Sequence, residues 1–225
     1  MLAKRLPEAE AKPETLLESL KTGPSCSPLA CRAGAQIGPN SLTQIAAALE
    51  AFVGAEETAR IFAETDLTHR LVAPPESLVP EREAIRLHGH LRHALDARGA
   101  RVVARDAGQR TADYLLAHRI PKSAQLLLRL LPARLASHLL VDAIARNAWT
   151  FAGGGRFSGR GGRPTLLSLV DGPLARNVEA DHAVCDYYAA TFERLFRKLV
   201  SPDAYCIETT CQACGADVCR FEIRF

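Results

Sequence analysis

Cysteine is concentrated near the end of this 225-residue chain, where five of its seven cysteines lie between positions 185 and 219. The segment CIETTCQACGADVC places thiols at Cys206, Cys211, Cys214 and Cys219, with Glu208 among them. Neighbouring thiolates and a carboxylate are metal ligands, and zinc accepts three sulfurs and one oxygen in a tetrahedron. The spacing therefore predicts a metal site, and we expect a single zinc ion in it.

Three arrangements of this site are open from the residues alone. One uses Cys185, Glu208, Cys211 and Cys219, and another uses the four cysteines of the CIETTCQACGADVC segment. The third is an iron–sulfur cluster, because C-x4-C-x2-C is also the plant-type spacing for two irons and two sulfides. That spacing takes its fourth thiol from far downstream, whereas only eleven residues follow Cys214. Buried cysteines without a metal are a further alternative.

The composition limits where this site operates. The formal net charge of +3 is too small to indicate nucleic acid as a partner. No run approaches the roughly 20 apolar residues that a transmembrane helix needs, and the first residues lack the apolar core of a secretory signal. A cysteine cluster in a chain without an export signal favours a metal over disulfides, so we expect a cytoplasmic protein.

The hydrophobic pattern predicts which elements position the cysteines. Residues 1–36, which include Cys26 and Cys31, mix Pro, Ser and charge without a period, and this predicts a flexible leader before a domain over 37–225. Helical spacing dominates up to about residue 147, with Gly108 placed for close packing of a neighbouring element. Short strands follow at Trp149–Phe157, Thr165–Val170, Tyr205–Thr209 and Val218–Phe225, with a helix over Asp181–Leu199 between them. We therefore predict an α+β fold, a helical layer packed on a small antiparallel sheet.

Two segments carry a family resemblance. DHAVCDYYAATFERL and ETTCQACGADVCRFEI resemble the 4-vinyl reductase domain family, whose ligand-binding fold is shared with heme-NO sensor and Golgi-tethering subunits. Phenol-sensing activators with this domain hold zinc through Cys, Glu, Cys and Cys, separated by 23, 3 and 8 residues. Cys185, Glu208, Cys211 and Cys219 have the same separations. The resemblance thus implies the first arrangement, with a structural zinc.

The rest of the chain resembles the bacteriochlorophyll-biosynthesis branch of this family, through VPERE, RTADYLLAHRIP and WTFAGGGRF. This implies a magnesium tetrapyrrole of the magnesium-protoporphyrin type as ligand, carried or presented to pathway enzymes. It also implies magnesium chelatase or the following methyltransferase as recipient, and a homodimer, because related domains pair. The alternative is a divinyl tetrapyrrole reductase. However, neither common nucleotide-loop motif fits the glycine-rich AGGGRFSGRGGRP, which favours binding over reduction.

A magnesium porphyrin has an apolar face, acidic propionates and an open axial position on the metal. His88 and His138 lie on apolar helical stripes and are the axial candidates, although a histidine there is more often an ordinary core residue. Arg156, Arg160 and Arg163 flank the glycine-rich segment, where guanidinium groups could pair with propionates. The alternative for these arginines is a solvated basic hairpin.

Overall fold

The fold is seen in a computed structural model that describes residues 34–225. The predicted leader with Cys26 and Cys31 lies outside the described residues, apart from its last three positions. Of these, Gln36 already pairs in a short strand, β1 (Gln36–Ile37), with β2 (Val79–Pro80). The described domain therefore begins close to the boundary that the sequence predicts.

The first two thirds of the described chain are helical. Proline precedes several of the helices directly, at Pro39, Pro80, Pro121 and Pro132, because its fixed φ suits a helix start. Asp96 caps another helix by accepting a hydrogen bond from the Gly99 N–H at 2.6 Å. The helices in this part are α1 (Asn40–Val53), α2 (Ala55–Glu64), α3 (Thr68–Val72), α4 (Glu81–Ala94), α5 (Ala97–His118), α6 (Lys122–Leu130) and α7 (Ala133–Arg146).

The last third holds an antiparallel sheet with one inserted helix. Its strands are β3 (Arg156–Arg160), β4 (Thr165–Val170), β5 (Tyr205–Thr210) and β6 (Cys219–Arg224), in the order β3-β4-β6-β5, and α8 (Asp186–Leu199) separates β4 from β5. Alternate residues of β6 are buried, namely Cys219, Phe221 and Ile223, as the sequence predicts for a strand with one dry face. The predicted α+β class, with helices on a small antiparallel sheet, is confirmed.

Helices α5 and α8 pack against each other at the centre of the domain. A Cβ at Gly108 of α5 would lie 2.3 Å from the carbonyl oxygen of Tyr187 on α8, so only glycine permits this approach. Thr191 reinforces the contact by donating its hydroxyl to the Gly108 carbonyl oxygen at 3.1 Å. The close packing predicted at Gly108 is thus confirmed, and it fixes α8 against the helical layer.

Two predicted elements differ from the structure. The helix expected from Asp181 begins only at Asp186, because the residues before it form a loop that leads from β4 to the cysteine site. The strand expected at Trp149–Phe157 is instead a 3-10 turn at Ala148–Thr150 and a loop, and pairing starts at Arg156. The three consecutive glycines of that loop disfavour strand pairing. Among the described residues, no helix is long and apolar enough to cross a membrane.

Candidate metal centre and ligand cavity

Four side chains from separate parts of the domain meet at the start of α8. Cys185 occupies the N-cap position of that helix, Glu208 lies in β5, Cys211 follows β5 directly, and Cys219 opens β6. Their four ligand atoms all lie within 4.8 Å of one another. The Sγ atom of Cys219 is 3.6 Å from that of Cys185 and 3.9 Å from that of Cys211. The group could therefore hold a metal ion.

A β-bulge explains how two of these residues face the same side. In a regular strand, residues three apart such as Glu208 and Cys211 point to opposite faces. The pairing register between β5 and β6 shifts between Glu208 and Thr210, which adds one residue to β5. The extra residue reverses the alternation, so Glu208 and Cys211 both reach the cluster.

A tight turn then returns the chain for the fourth ligand. Gly215 takes a left-handed conformation with φ of 84°, which glycine adopts without strain, and β6 begins four residues later. The Gln212 N–H points to the Cys219 Sγ at 3.3 Å, and the Ala180 N–H donates to the Ala213 carbonyl oxygen at 2.8 Å. The turn is therefore tied both to a ligand sulfur and to the loop that precedes Cys185.

The cluster is electrostatically unfavourable unless a cation is present. The Cys185 thiol has a pKa well above its ordinary value because it donates to the Cys211 and Cys219 sulfurs and is buried. The same thiols lower the pKa of Cys211, while burial and the Cys211 thiolate raise the pKa of Glu208 to about 8. Oε2 of Glu208 accepts a hydrogen bond from the Cys185 N–H at 2.9 Å, but its buried Oε1 has no partner. An unpaired buried carboxylate oxygen beside thiols is the environment expected of a metal site.

The two other cysteines of the segment do not join this group. Cys206 is buried on β5, where its backbone N–H donates to Oε2 of Glu193 at 3.1 Å. Burial is the main cause that raises the pKa of its thiol. Cys214 is exposed in the 3-10 turn. The arrangement of four ligands is therefore the one that the family resemblance implies, and not the all-cysteine one.

A cavity of about 570 Å³, which we call the helical cavity, lies between α5, α7 and α8. Two connecting segments close it, one at Ile37–Ser41 and the other at Trp149–Phe151. Apolar and aromatic side chains form most of its wall, namely Ile37, Leu115, Leu140, Ile144, Phe151, Tyr187, Tyr188, Phe192 and Leu195. Its size and lining are those of a site for a mainly apolar small molecule.

The tyrosine hydroxyls of the wall are bonded within the protein. The Tyr187 hydroxyl and the Thr111 hydroxyl lie 2.8 Å apart, and the Tyr188 hydroxyl donates to the Phe151 carbonyl oxygen at 2.9 Å. Both phenols are buried, which raises their pKa values and keeps them neutral. The rings consequently present an uncharged surface to the interior of the cavity.

The polar groups of the helical cavity lie near solvent. Arg119 is exposed just after α5, and its guanidinium carbon lies 6.0 Å from the centre of the Tyr114 ring. Trp149, the only tryptophan of the chain, is also largely exposed. We did not predict Arg119, Tyr114 or Trp149 from the sequence. Arg119 lies within the RTADYLLAHRIP segment that carries the family resemblance, which is the signal that pointed to it.

His88 lines a second cavity, of about 540 Å³, between α4, the start of α5 and the loop before Cys185. It is buried, its Nε2 lies 3.1 Å from the Ser41 carbonyl oxygen, and its ring meets Tyr187 edge-on at 5.4 Å. Burial and nearby Arg92 lower its pKa to about 3, so the ring is neutral near pH 7. Ser41 and Tyr187 both line the helical cavity, so His88 lies directly behind its wall.

The remaining predicted ligand residues lie away from the wall of the helical cavity. His138 is exposed on α7 and packs against Gly161, where an added Cβ would come within 2.4 Å of its Cα. Arg156 and Arg160 are exposed on the edge strand β3. Arg163 is exposed as well, donates to the Phe225 carbonyl oxygen and stacks over the Phe225 ring. Neither the two histidines nor these three arginines line the helical cavity.

Comparison with known proteins connects these features to one family. The model of the 4-vinyl reductase domain matches residues 167–225, which include all four clustered ligands. The bacteriochlorophyll synthase 23 kDa chain of Cereibacter sphaeroides is 40% identical over 188 residues, covering 84% of this chain and 90% of that protein. The chain of the same name from Rhodobacter capsulatus is 36% identical over 187 residues, covering 83% and 85%.

Solved structures agree on the fold. An H-NOX protein from K. algicida superposes with a TM-score of 0.53 at 12% identity, covering 84% of this chain and 96% of that one. A second structure, from work on heme distortion in the H-NOX family, gives a TM-score of 0.55 at 10% identity, covering 84% and 95%. At such low identity the likeness concerns the fold alone, and it matches the fold predicted from the family resemblance.

Proposed function

This chain belongs to the family of the bacteriochlorophyll synthase 23 kDa chains (BchJ), and on that premise we propose that it binds a magnesium tetrapyrrole. The ligand is an intermediate of the magnesium-protoporphyrin type, and the protein carries it to enzymes of bacteriochlorophyll biosynthesis. The observation that carries this proposal is the helical cavity, an apolar chamber within the fold of a family named for this pathway.

The cavity suits the two kinds of surface that such a ligand offers. Its volume of about 570 Å³ falls within the range of roughly 300–1,000 Å³ typical of small-molecule sites. The neutral aromatic and aliphatic wall accepts the flat apolar macrocycle, whose burial supplies the binding free energy. Arg119 lies where the cavity meets solvent and can pair with a propionate there, which orients the ligand with its acidic edge outward.

The predicted axial ligand to magnesium is still a proposal. His88 is neutral, as a metal ligand must be, and contacts Ser41 and Tyr187 of the cavity wall. A change of the Tyr187 rotamer would be needed before its ring could face the cavity. The propionate role predicted for Arg156, Arg160 and Arg163 passes to Arg119 in this proposal, because they lie outside the cavity lining.

Zinc is the metal that we propose for the cluster of Cys185, Glu208, Cys211 and Cys219. A tetrahedral site with zinc–sulfur bonds of about 2.3 Å separates its sulfurs by about 3.8 Å. The two sulfur–sulfur distances of 3.6 and 3.9 Å fit that spacing, and the unpaired Glu208 Oε1 supplies the oxygen ligand. With four protein ligands no position is left open for substrate, so the ion would supply a structural cross-link.

The cluster supports the cavity through α8. Cys185 fixes the start of that helix, and Tyr187 and Tyr188, two and three residues later, form part of the cavity wall. Glu208, Cys211 and Cys219 hold Cys185 to the β5–β6 hairpin. We therefore propose that metal binding keeps the aromatic wall in place, without taking part in any reaction of the ligand.

Titration of the purified protein with magnesium protoporphyrin tests the binding proposal. We expect a saturable shift of the Soret band, together with quenching of Trp149, whose side chain lines the cavity. Absence of both signals at micromolar protein would overturn it. Incubation with a divinyl tetrapyrrole and NADPH or reduced ferredoxin tests the alternative, since loss of a vinyl group would identify a reductase.

The proposed carrier acts in the cytoplasm, with magnesium chelatase or the following methyltransferase as recipient of the ligand. Transfer between proteins requires that the ligand leave an open edge of its site. Trp149 and Arg119 are exposed at the edge of the helical cavity, which makes this edge the place of transfer. Pairing of two copies, as in related domains, would be compatible with transfer only if this edge stayed accessible.

A further inference from the structure

Helices α6 and α7 form a hairpin with an unusually apolar outer surface. Pro132 lies in the two-residue connection between them, and the two helices pack against each other. Five leucines on this hairpin are exposed: Leu126 (58%), Leu127 (55%), Leu130 (75%), Leu135 (48%) and Leu139 (40%). We call these five residues the leucine face.

The spacing of these leucines places them together on each helix. Leu126 and Leu130 are four residues apart on α6, with Leu127 three residues from Leu130, so they share one side of that helix. Leu135 and Leu139 are likewise one turn apart on α7. Single exposed leucines need no explanation, but a contiguous group of this kind marks a contact surface.

Basic side chains surround the leucine face. Between residues 119 and 149 the chain has five Arg or Lys residues and a single acidic one, Asp142. The five are Arg119, Lys122, Arg129, Arg134 and Arg146. None of them forms an ion pair with a described carboxylate, whereas Arg70 and Arg194 elsewhere on the surface are paired with Glu83 and Asp113. The charge around the leucine face is thus available to an external anion.

The adjacent strand extends this basic surface. Strand β3 packs on α7, since a Cβ at Gly159 would meet the Val141 side chain at 2.7 Å. Arg156 and Arg160 are exposed on that strand and have no ion-pair partner among the described residues. Apolar residues framed by unpaired cations are typical of helices that lie in the surface of an anionic membrane.

A second copy of the chain fits this surface less well. Symmetric pairing through the leucine face would bring the same five cations of each copy close together, which is electrostatically unfavourable. An anionic lipid bilayer instead offers negative headgroups to the cations and acyl chains to the leucines. Exposed Trp149, which follows α7, is the residue type enriched where membrane meets water.

We propose that the leucine face docks this protein onto the surface of an anionic lipid bilayer. The helices lie in the interface and do not span the membrane. Helix α7 also supplies Leu140, Ala143 and Ile144 to the helical cavity, and Trp149 lines that cavity, so docking brings its exposed edge near the lipid. The proposal does not depend on which ligand the cavity binds.

Flotation of the full chain, without tetrapyrrole, tests the docking directly. We expect about tenfold more protein on vesicles of equal phosphatidylcholine and phosphatidylglycerol than on phosphatidylcholine alone, and release at high salt. The single tryptophan, Trp149, should shift its emission to shorter wavelength on the anionic vesicles. Equal binding to the two vesicles, or none, would overturn the proposal, and so would a stable dimer that ignores vesicles.

Paired variants separate the apolar and charged contributions. Leu126→Ser with Leu130→Ser should reduce vesicle binding about tenfold, and Arg129→Gln with Arg134→Gln should reduce it on anionic vesicles only. Val72→Ser is the matched apolar control because Val72 is 81% exposed on α3, far from this hairpin in the sequence. Arg82→Gln is the charge control. If a leucine variant fails to fold by circular dichroism, the arginine pair and the Trp149 emission still decide. Loss of binding in the controls as well would contradict docking through the leucine face.

Discussion

The backbone N–H of Cys185 donates a hydrogen bond of 2.9 Å to Oε2 of Glu208, a residue 23 positions later. This contact orients the carboxylate so that its other oxygen, Oε1, is buried beside the Cys211 and Cys219 sulfurs without a partner. One hydrogen bond therefore joins the start of α8 to β5 and leaves an oxygen available to a metal. The following predictions test the cluster, the cavity and the packing that relates them.

Replacing Cys211 by serine should remove the metal. A hydroxyl is a much poorer zinc ligand than a thiolate, and because metal binding contributes to folding, the variant should lose several kcal/mol of unfolding free energy. Metal analysis should give about one zinc per chain for the parent protein and far less for Cys211→Ser. Cys214→Ser is the control, because Cys214 is exposed and outside the cluster. Equal zinc content in the two variants would contradict this ligand set.

Filling the helical cavity should prevent tetrapyrrole binding. Ala143 lines the cavity from α7, so Ala143→Phe would occupy space that the macrocycle needs. We expect affinity for magnesium protoporphyrin to fall at least about tenfold, a loss of about 1.4 kcal/mol, as measured by Soret titration. Ala145→Phe places the same ring on the exposed side of the same helix and should bind normally. If Ala145→Phe weakened binding as much as Ala143→Phe, the ligand would lie elsewhere.

Arg119 and Arg156 make opposite predictions about the propionates. A charge-assisted hydrogen bond contributes about 1.5–3 kcal/mol, so Arg119→Gln should weaken binding by roughly 10- to 100-fold. Arg156→Gln should have little effect, because Arg156 is outside the cavity lining. Comparing magnesium protoporphyrin with its dimethyl ester refines the measurement, since Arg119→Gln should matter only for the free acid. The reverse pattern would support the sequence-based assignment instead.

Stability should fall in acid partly because His88 is buried and neutral. Burial, and next the nearby Arg92, lower its folded pKa to about 3, below the unfolded value of about 6.5. The unfolded chain therefore binds a proton between these values that the folded protein does not. This costs up to about 1.4 kcal/mol per pH unit as the pH falls from 6.5 towards 3. Urea unfolding should show a shallower slope for His88→Gln, while His138→Gln, at an exposed site, should keep the parent slope.

Two helical glycines should respond oppositely to alanine. At Gly108 the new methyl group would lie 2.3 Å from the Tyr187 carbonyl oxygen, which forces α5 and α8 apart and should cost about 3 kcal/mol. At Gly89 of α4 no atom lies within 4 Å of the added Cβ, so Gly89→Ala should gain about 0.5–1 kcal/mol from helix propensity. Chemical denaturation measures both. A small loss at Gly108 would mean that the two helices can separate without cost.

The spacing of residues predicted the metal ligands well because it reflects the family pattern. The separations from Cys185 to Glu208, Cys211 and Cys219 were enough to select among the arrangements of thiols, although regular strand geometry places Glu208 and Cys211 on opposite faces. The bulge between Glu208 and Thr210 reconciles the two. It arises from pairing with β6, a long-range contact that no local pattern in the sequence specifies.

The ligand residues were predicted less well for a related reason. Helical periodicity correctly placed His88 on a buried face, but it does not say which neighbour that face meets. The structure shows Ser41 and Tyr187 between His88 and the helical cavity. It also places Arg119 at the cavity, although this residue has no periodic apolar context of its own.

By itself, the sequence determined the fold class, the close approach at Gly108 and the identity of the clustered ligands. These depend on residue type and spacing along one chain, which are local quantities. The tertiary structure alone decided which side chains enclose a cavity and which leucines remain uncovered. Both follow from how α5, α7 and α8 pack, and packing is a property of surfaces that meet from distant parts of the chain.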